Sequence, residues 1–111
     1  MTIVAVKGVG TSLFGKQPDL HPSDLVWRAV DEAITSAGVG VADLDAVYLG
    51  TVFGAPGVAQ RALHAMGIVG LPIVTVENAC ASGTTAFHEG VESVRLERFG
   101  HVLVLGVEKM T

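Results

Sequence analysis

Ile73-Val74-Thr75-Val76-Glu77-Asn78-Ala79-Cys80-Ala81-Ser82-Gly83-Thr84-Thr85-Ala86 begins as a β-branched run and continues as small residues. It reads as a strand that turns directly into a helix, with Cys80, the one cysteine of the chain, opening that helix. Backbone N–H groups at a helix start are unpaired and the macrodipole is positive there, so a thiolate at that place is favoured. Cys80 is therefore a candidate nucleophile. The competing reading is inert packing, because free cysteine is among the most buried residue types. Ala79, Ala81, Ser82 and Gly83 are small enough for a substrate or another backbone to come close to the sulfur. On the residues alone the two readings stand level. If Cys80 is the nucleophile, its own backbone N–H is one donor available to an oxyanion.

On both sides of this junction strand and helix patterns alternate. Residues 2–10 read as a first strand, built on Ile3, Val4, Val6 and Val9. After a loop with Gly15 and Pro18, helix-start signals at Pro22 and Ser23 precede Leu25, Val26, Ala29, Val30, Ala33, Ile34 and Ala37 at helical spacing, until Gly38 stops them. Residues 46–53 read as a second strand and residues 58–66 as a short helix closed by Gly67. Pro72 opens a third strand that ends near Asn78. The third helix is expected over residues 80–99, ended by Gly100, and a fourth strand over residues 101–107 is apolar at almost every position. Strands apolar on both faces belong in a covered, parallel sheet. The predicted fold class is therefore α/β, a covered and mainly parallel βαβαβαβ sheet with right-handed crossovers.

Composition narrows the function classes. Half of the 111 residues are hydrophobic, 16% are charged, and the mean hydropathy is +0.53. So apolar a small chain is expected to meet another domain or subunit over much of its surface. The longest apolar stretch, residues 68–76, is interrupted by Gly70, Pro72 and Thr75 and is far below the roughly 18 residues of a membrane span. Residues 3–6 are too short an apolar run for a secretory signal, so a cytoplasmic protein is expected. Seven basic and eleven acidic side chains give a net charge of −4. With the basic residues scattered, no nucleic-acid partner is expected. No Cys/His spacing resembles a zinc site, and no metal is expected.

The remaining candidates carry less. Gly8-Val9-Gly10-Thr11-Ser12-Leu13 fails as a dinucleotide fingerprint, since Leu13 stands at the third glycine position and a loop follows. Its glycines instead allow a bend or close backbone packing. His88, eight residues beyond Cys80 and roughly 12 Å away by helical rise, cannot reach the sulfur and reads as an interface or core residue. His21, His64 and His101 read as surface residues, so no base is assigned. One of Glu77 and Asn78 is expected to help fix the turn, and Glu89, Glu92, Arg95, Glu97 and Arg98 are expected to form the solvated side of the third helix, with Glu92 pairing with Arg95.

Residues 76–86, together with Val102-Leu103-Val104-Leu105-Gly106-Val107-Glu108-Lys109-Met110-Thr111 and the opening Val4-Ala5-Val6-Lys7-Gly8-Val9-Gly10-Thr11, resemble the amino-terminal half of thiolases, especially the lipid-transfer or sterol-carrier-associated branch. The likeness spans essentially the whole chain. It implies that residues 1–111 are an amino-terminal thiolase-like domain, half of a layered αβαβα fold whose loop region and carboxy-terminal half are not in this chain. It implies an acyl-CoA acyltransferase in which Cys80 carries the acyl group as a thioester, for CoA-dependent cleavage of a β-ketoacyl-CoA or the reverse Claisen condensation. Coenzyme A is then a substrate, and no cofactor is permanently bound. In the family a histidine and a second cysteine from the other half activate the thiol and carry the proton. The isolated chain is therefore expected to be inactive. The resemblance also implies dimerisation through this half, with the third strand pairing across a twofold axis, and a zinc-ribbon acyl-CoA-binding partner of the kind some members of the branch use. Two other readings remain: a noncatalytic scaffolding half of a heteromer, and a small α/β binding module with a packed Cys80.

Overall fold

The computed structural model describes residues 3–13, 15 and 17–108. Among the described residues three helices and three strands follow one another: α1 (Pro22–Ala37), β1 (Ala46–Gly50), α2 (Val58–His64), β2 (Ile73–Val76), α3 (Ser82–Arg95) and β3 (Val102–Gly106). A single 3-10 turn, Val41–Asp43, leads into β1.

The start of α1 follows from Pro22, whose fixed φ suits the first helical position, and from Asp24, whose carboxylate accepts the His21 N–H at 2.9 Å. Its end follows from Gly38 at φ 70°, a left-handed conformation in which the Gly38 N–H reaches the Ile34 carbonyl at 3.0 Å. The helix α3 also ends on a left-handed residue, but that residue is Glu97 (φ 61°), not the predicted Gly100. The Arg98 N–H closes back on the Ser93 carbonyl at 2.9 Å, which stops the helix four residues short of Phe99.

The sheet is parallel, with strand order β2-β1-β3. Passing from β1 to β2 moves one way across the sheet, and passing from β2 to β3 moves back over β1. Crossovers of one hand must then place α2 and α3 on opposite faces. The packing agrees. Val47 and Leu49 of β1 and Leu103 and Leu105 of β3 join Val26 and Val30 of α1 and Ala59, Ala62 and Leu63 of α2 in one core. Residues of opposite parity face α3: a Cβ on Gly90 would lie 2.6 Å from Val104 Cγ2 and 3.9 Å from Tyr48 Cδ2. Only a glycine lets α3 sit that close to the sheet. Leu49 and Leu63 are wholly buried, and each contributes roughly 1.5–3 kcal/mol of apolar burial.

The predicted first strand is not formed. Thr2 lies outside the described residues, and Ile3–Gly10 carries no regular structure. Its place explains why. Gly8 lies so close to α1 that a Cβ there would be 2.5 Å from the Ala33 carbonyl oxygen and the Ala37 nitrogen, and Gly10 is as tight against Ala29 and Ala33. The segment thus lies along a helix, which offers no ladder partners, and Val9 gives its N–H to Ser36 Oγ at 3.4 Å. The glycines do serve close backbone packing. β1 also ends at Gly50 instead of Phe53, because the N–H groups of Val52 and Phe53 are taken by a side chain.

Candidate active site

In a parallel sheet the carboxyl ends of all strands lie at one rim, the usual place for a ligand in an α/β fold. Here that rim collects the loop after Gly50, the turn from Glu77 to Ala81, and Val107 with Glu108.

Cys80 stands in the turn. The helix begins at Ser82 with Ala81 as its N-cap, so the cysteine precedes the first helical residue by two positions and does not open the helix as expected. The reason is local hydrogen bonding. Ser82 Oγ accepts the Asn78 N–H at 2.8 Å and donates to the Ala79 carbonyl at 2.7 Å. Glu77 Oε2 accepts the Ala79 N–H, and Asn78 Nδ2 donates to Thr85 Oγ1 at 3.0 Å. This network turns the chain through Ala79 in a left-handed conformation (φ 48°), sparsely populated for a residue with a Cβ. Both Glu77 and Asn78 help fix the turn, where one of the two was expected to.

The sulfur is a free thiol and is exposed, so it is not a packing residue within this chain. Small neighbours matter in the other direction as well. A Cβ on Gly50 would overlap the Ser82 carbonyl and lie 2.8 Å from the Gly83 nitrogen, and one on Gly106 would sit 4.0 Å from Gly83 Cα. The ends of β1 and β3 therefore seat the first turn of α3 directly, backbone against backbone, and hold the turn carrying Cys80. Chemically, an accessible thiol on an over-determined turn, ahead of the positive end of a 14-residue helix, can attack a carbonyl carbon.

None of the four histidines lies in that turn. His88 is exposed on α3, which rules out a core role within this chain, while His21 caps α1, His64 ends α2 and His101 precedes β3. Arg95 and Glu92 pair at 2.7 Å, as the i, i+3 spacing predicts. A cavity of about 510 Å³ lies between residues 3–10, α1, α3 and the outer edge of β3. Nothing from residues 77–84 lines it, so it is separate from the thiol.

Two carboxylates are held charged. Asp45 is shifted down because its oxygen accepts the N–H groups of His101 and Gly100, each at 2.9 Å, which pins the entry to β3 against the entry to β1. Burial pushes Glu108 up, but hydrogen bonds from Thr51, Phe53 and Val52 together outweigh it and hold the carboxyl below its ordinary value. Glu108 is the rim residue that sequence reading assigned no role. A carboxylate just past a strand end is a weak signal, and its partner Thr51 lies 57 residues earlier.

The family model for the thiolase amino-terminal domain matches residues 3–111. The chain belongs to the thiolase family. Among thiolase relatives, an acetyl-CoA acetyltransferase of Methanothermobacter thermautotrophicus is 37% identical over 116 residues, covering 100% of this chain and 30% of that protein. Human sterol carrier protein 2 is 35% identical over 112 residues, 97% of this chain and 20% of that protein. The Acat5 thiolase of Ascaris suum, solved in complex with coenzyme A, superposes with a TM-score of 0.79 at 21% identity, over 94% of this chain and 28% of that one. The chain thus spans 20 to 30% of the length of these proteins. The structural match carries the fold: α/β with a covered parallel sheet, as the sequence predicted. Lys109, Met110 and Thr111, part of the motif that suggested thiolases, lie outside the described residues.

Proposed function

We propose that Cys80 is the acyl acceptor of a thiolase-type acyltransferase of which this chain forms the amino-terminal portion. The single observation carrying this reading is the exposed Cys80 thiol on a turn fixed by Glu77, Asn78 and Ser82 at the carboxyl rim of the sheet. The Cys80 sulfur adds to the 3-keto carbon of a β-ketoacyl-CoA, giving a tetrahedral oxyanion to which the Cys80 N–H is one donor. Collapse breaks the bond between C2 and C3; the acyl group stays on sulfur and the acetyl-CoA carbanion takes a proton. Coenzyme A thiolate then attacks the Cys80 thioester and frees the cysteine. In this second step the acyl group passes from one thioester to another, so that exchange carries little change in free energy. The groups that activate the thiol and deliver the proton belong to the rest of the protein.

Further support comes from the surface. Trp27 and Leu96 are more than half exposed and Phe87 is 49% exposed, apolar side chains that a neighbouring domain or subunit would cover. Among the described residues β2 is an edge strand with no ladder partner on its outer side, where the Ile73 carbonyl accepts Gln60 Nε2 at 3.2 Å, and Val74 on it is 40% exposed. A second copy of the chain pairing along β2 would complete it. The whole protein, supplied with coenzyme A and 3-ketoacyl-CoA esters of short, medium and long chain, is expected to release acetyl-CoA from at least one of them. Chromatographic detection of acetyl-CoA checks this, and none from any ester would refute the reading.

A further inference from the structure

Glu108 follows β3 by two residues and turns its carboxylate back over the loop that leaves β1. Its Oε1 accepts the Thr51 hydroxyl at 2.7 Å and the Phe53 N–H at 3.1 Å, and its Oε2 accepts the Val52 N–H at 3.0 Å. Two consecutive backbone N–H groups aimed at one anion form a small nest, and the buried Thr51 completes it. Thr51 in turn reaches β2. Its own N–H donates to the Val76 carbonyl at 3.2 Å, while its Oγ1 accepts the Gly54 N–H at 3.1 Å. The Val107 N–H, beside Glu108, donates to the Gly50 carbonyl at 3.2 Å. One carboxylate therefore knits the ends of all three strands at the rim, and the strand it reaches through Thr51 is the one that runs on, four residues later, to Cys80.

We infer that Glu108 is a positioning residue for Cys80: by holding Thr51 it fixes the end of β2, and with it the place of the sulfur. The inference rests on the acylation of Cys80 proposed above. A neutral side chain cannot replace it fully. Glutamine at 108 offers one acceptor oxygen and turns an NH2 toward donors, so at least one of the three donors loses its partner.

The test is single-turnover acylation of the whole protein by acetyl-CoA, followed by mass, in wild type, Glu108→Gln and Thr51→Val. Thr51→Val removes the same link from the other side and keeps the volume, so the question stays open to experiment if Glu108→Gln fails to fold. The saturating acylation rate constant is expected to fall about tenfold to hundredfold in the variants, the scale set by a displacement of about 1 Å at a reacting group. The half-saturating acetyl-CoA concentration is expected to stay within about twofold, as for a step lost from chemistry and not from binding. A single-turnover rate constant does not depend on the fraction of folded protein, so loss of stability alone would leave it unchanged. Faster amide exchange at Val52 and Phe53 in Glu108→Gln is expected to accompany the fall. An unchanged rate constant in the folded variants, or a change confined to half-saturation, overturns the inference alone. Absence of any adduct on wild type overturns the acylation reading and this inference with it.

Discussion

Cys80→Ser in the whole protein is expected to lower acyl transfer by about a thousandfold or more while leaving the fold intact. The rate falls because a serine hydroxyl is not ionised near neutral pH and because the acyl group would pass through an oxyester instead of a thioester; loss of a covalent nucleophile typically costs this much or more. The fold survives because the sulfur is exposed and makes no part of the hydrogen-bonded turn, which is built from Glu77, Asn78 and Ser82. Surface changes of that kind stay within about 0.5 kcal/mol. Initial rates and urea midpoints on the same samples check both halves of the expectation. A scaffolding subunit would keep its function after Cys80→Ala, and a packed cysteine would lose stability instead of rate.

Gly50→Ala carries the largest expected effect on stability. The new Cβ would overlap the Ser82 carbonyl and stand 2.5 Å from the Ser82 carbonyl carbon. Both are backbone, so no rotamer change relieves the clash; either β1 or the first turn of α3 must move. Overpacking of this type costs typically about 1–3 kcal/mol, and backbone collisions lie at the upper end. Since Ser82 also holds the turn through Asn78 and Ala79, the displacement should slow the reaction of Cys80 with a thiol reagent or with acetyl-CoA. Gly67→Ala is the control. Gly67 is left-handed at φ 82° with nothing within 4 Å of a new Cβ, so it costs about 1 kcal/mol of backbone strain and leaves Cys80 alone. Equal urea midpoints for Gly50→Ala and wild type would contradict the seating of α3 on β1.

What could be read from the residues follows the range of the forces involved. The limits of α1 were legible because Pro22 and Gly38 act on their own backbone, and the parallel sheet was legible because β1 and β3 are apolar on both faces. The failures are places where a distant partner decides. Residues 3–10 open on a largely β-branched apolar run like a strand, yet Gly8 and Gly10 press them onto α1, where no ladder exists. Residues 51–53 look like the end of β1, but Glu108 takes their N–H groups. Cys80 sits two residues before α3 because Ser82, a residue that could equally have been helix interior, bonds back to Asn78 and Ala79. Thr51, Ser82 and Glu108 are ordinary in sequence, and only the parallel register that aligns Gly50 with Val76 and Gly106 brings their neighbourhoods together.

Acetyl-CoA added to the whole protein, followed by intact mass and then by tryptic mapping, addresses the role of Cys80 most directly. One acetyl group per chain is expected, located on the peptide of residues 62–95 that holds Cys80, released by free coenzyme A and missing from Cys80→Ser. A protein that gains no acetyl group, or gains it elsewhere and keeps it in Cys80→Ser, would contradict Cys80 as the acyl acceptor.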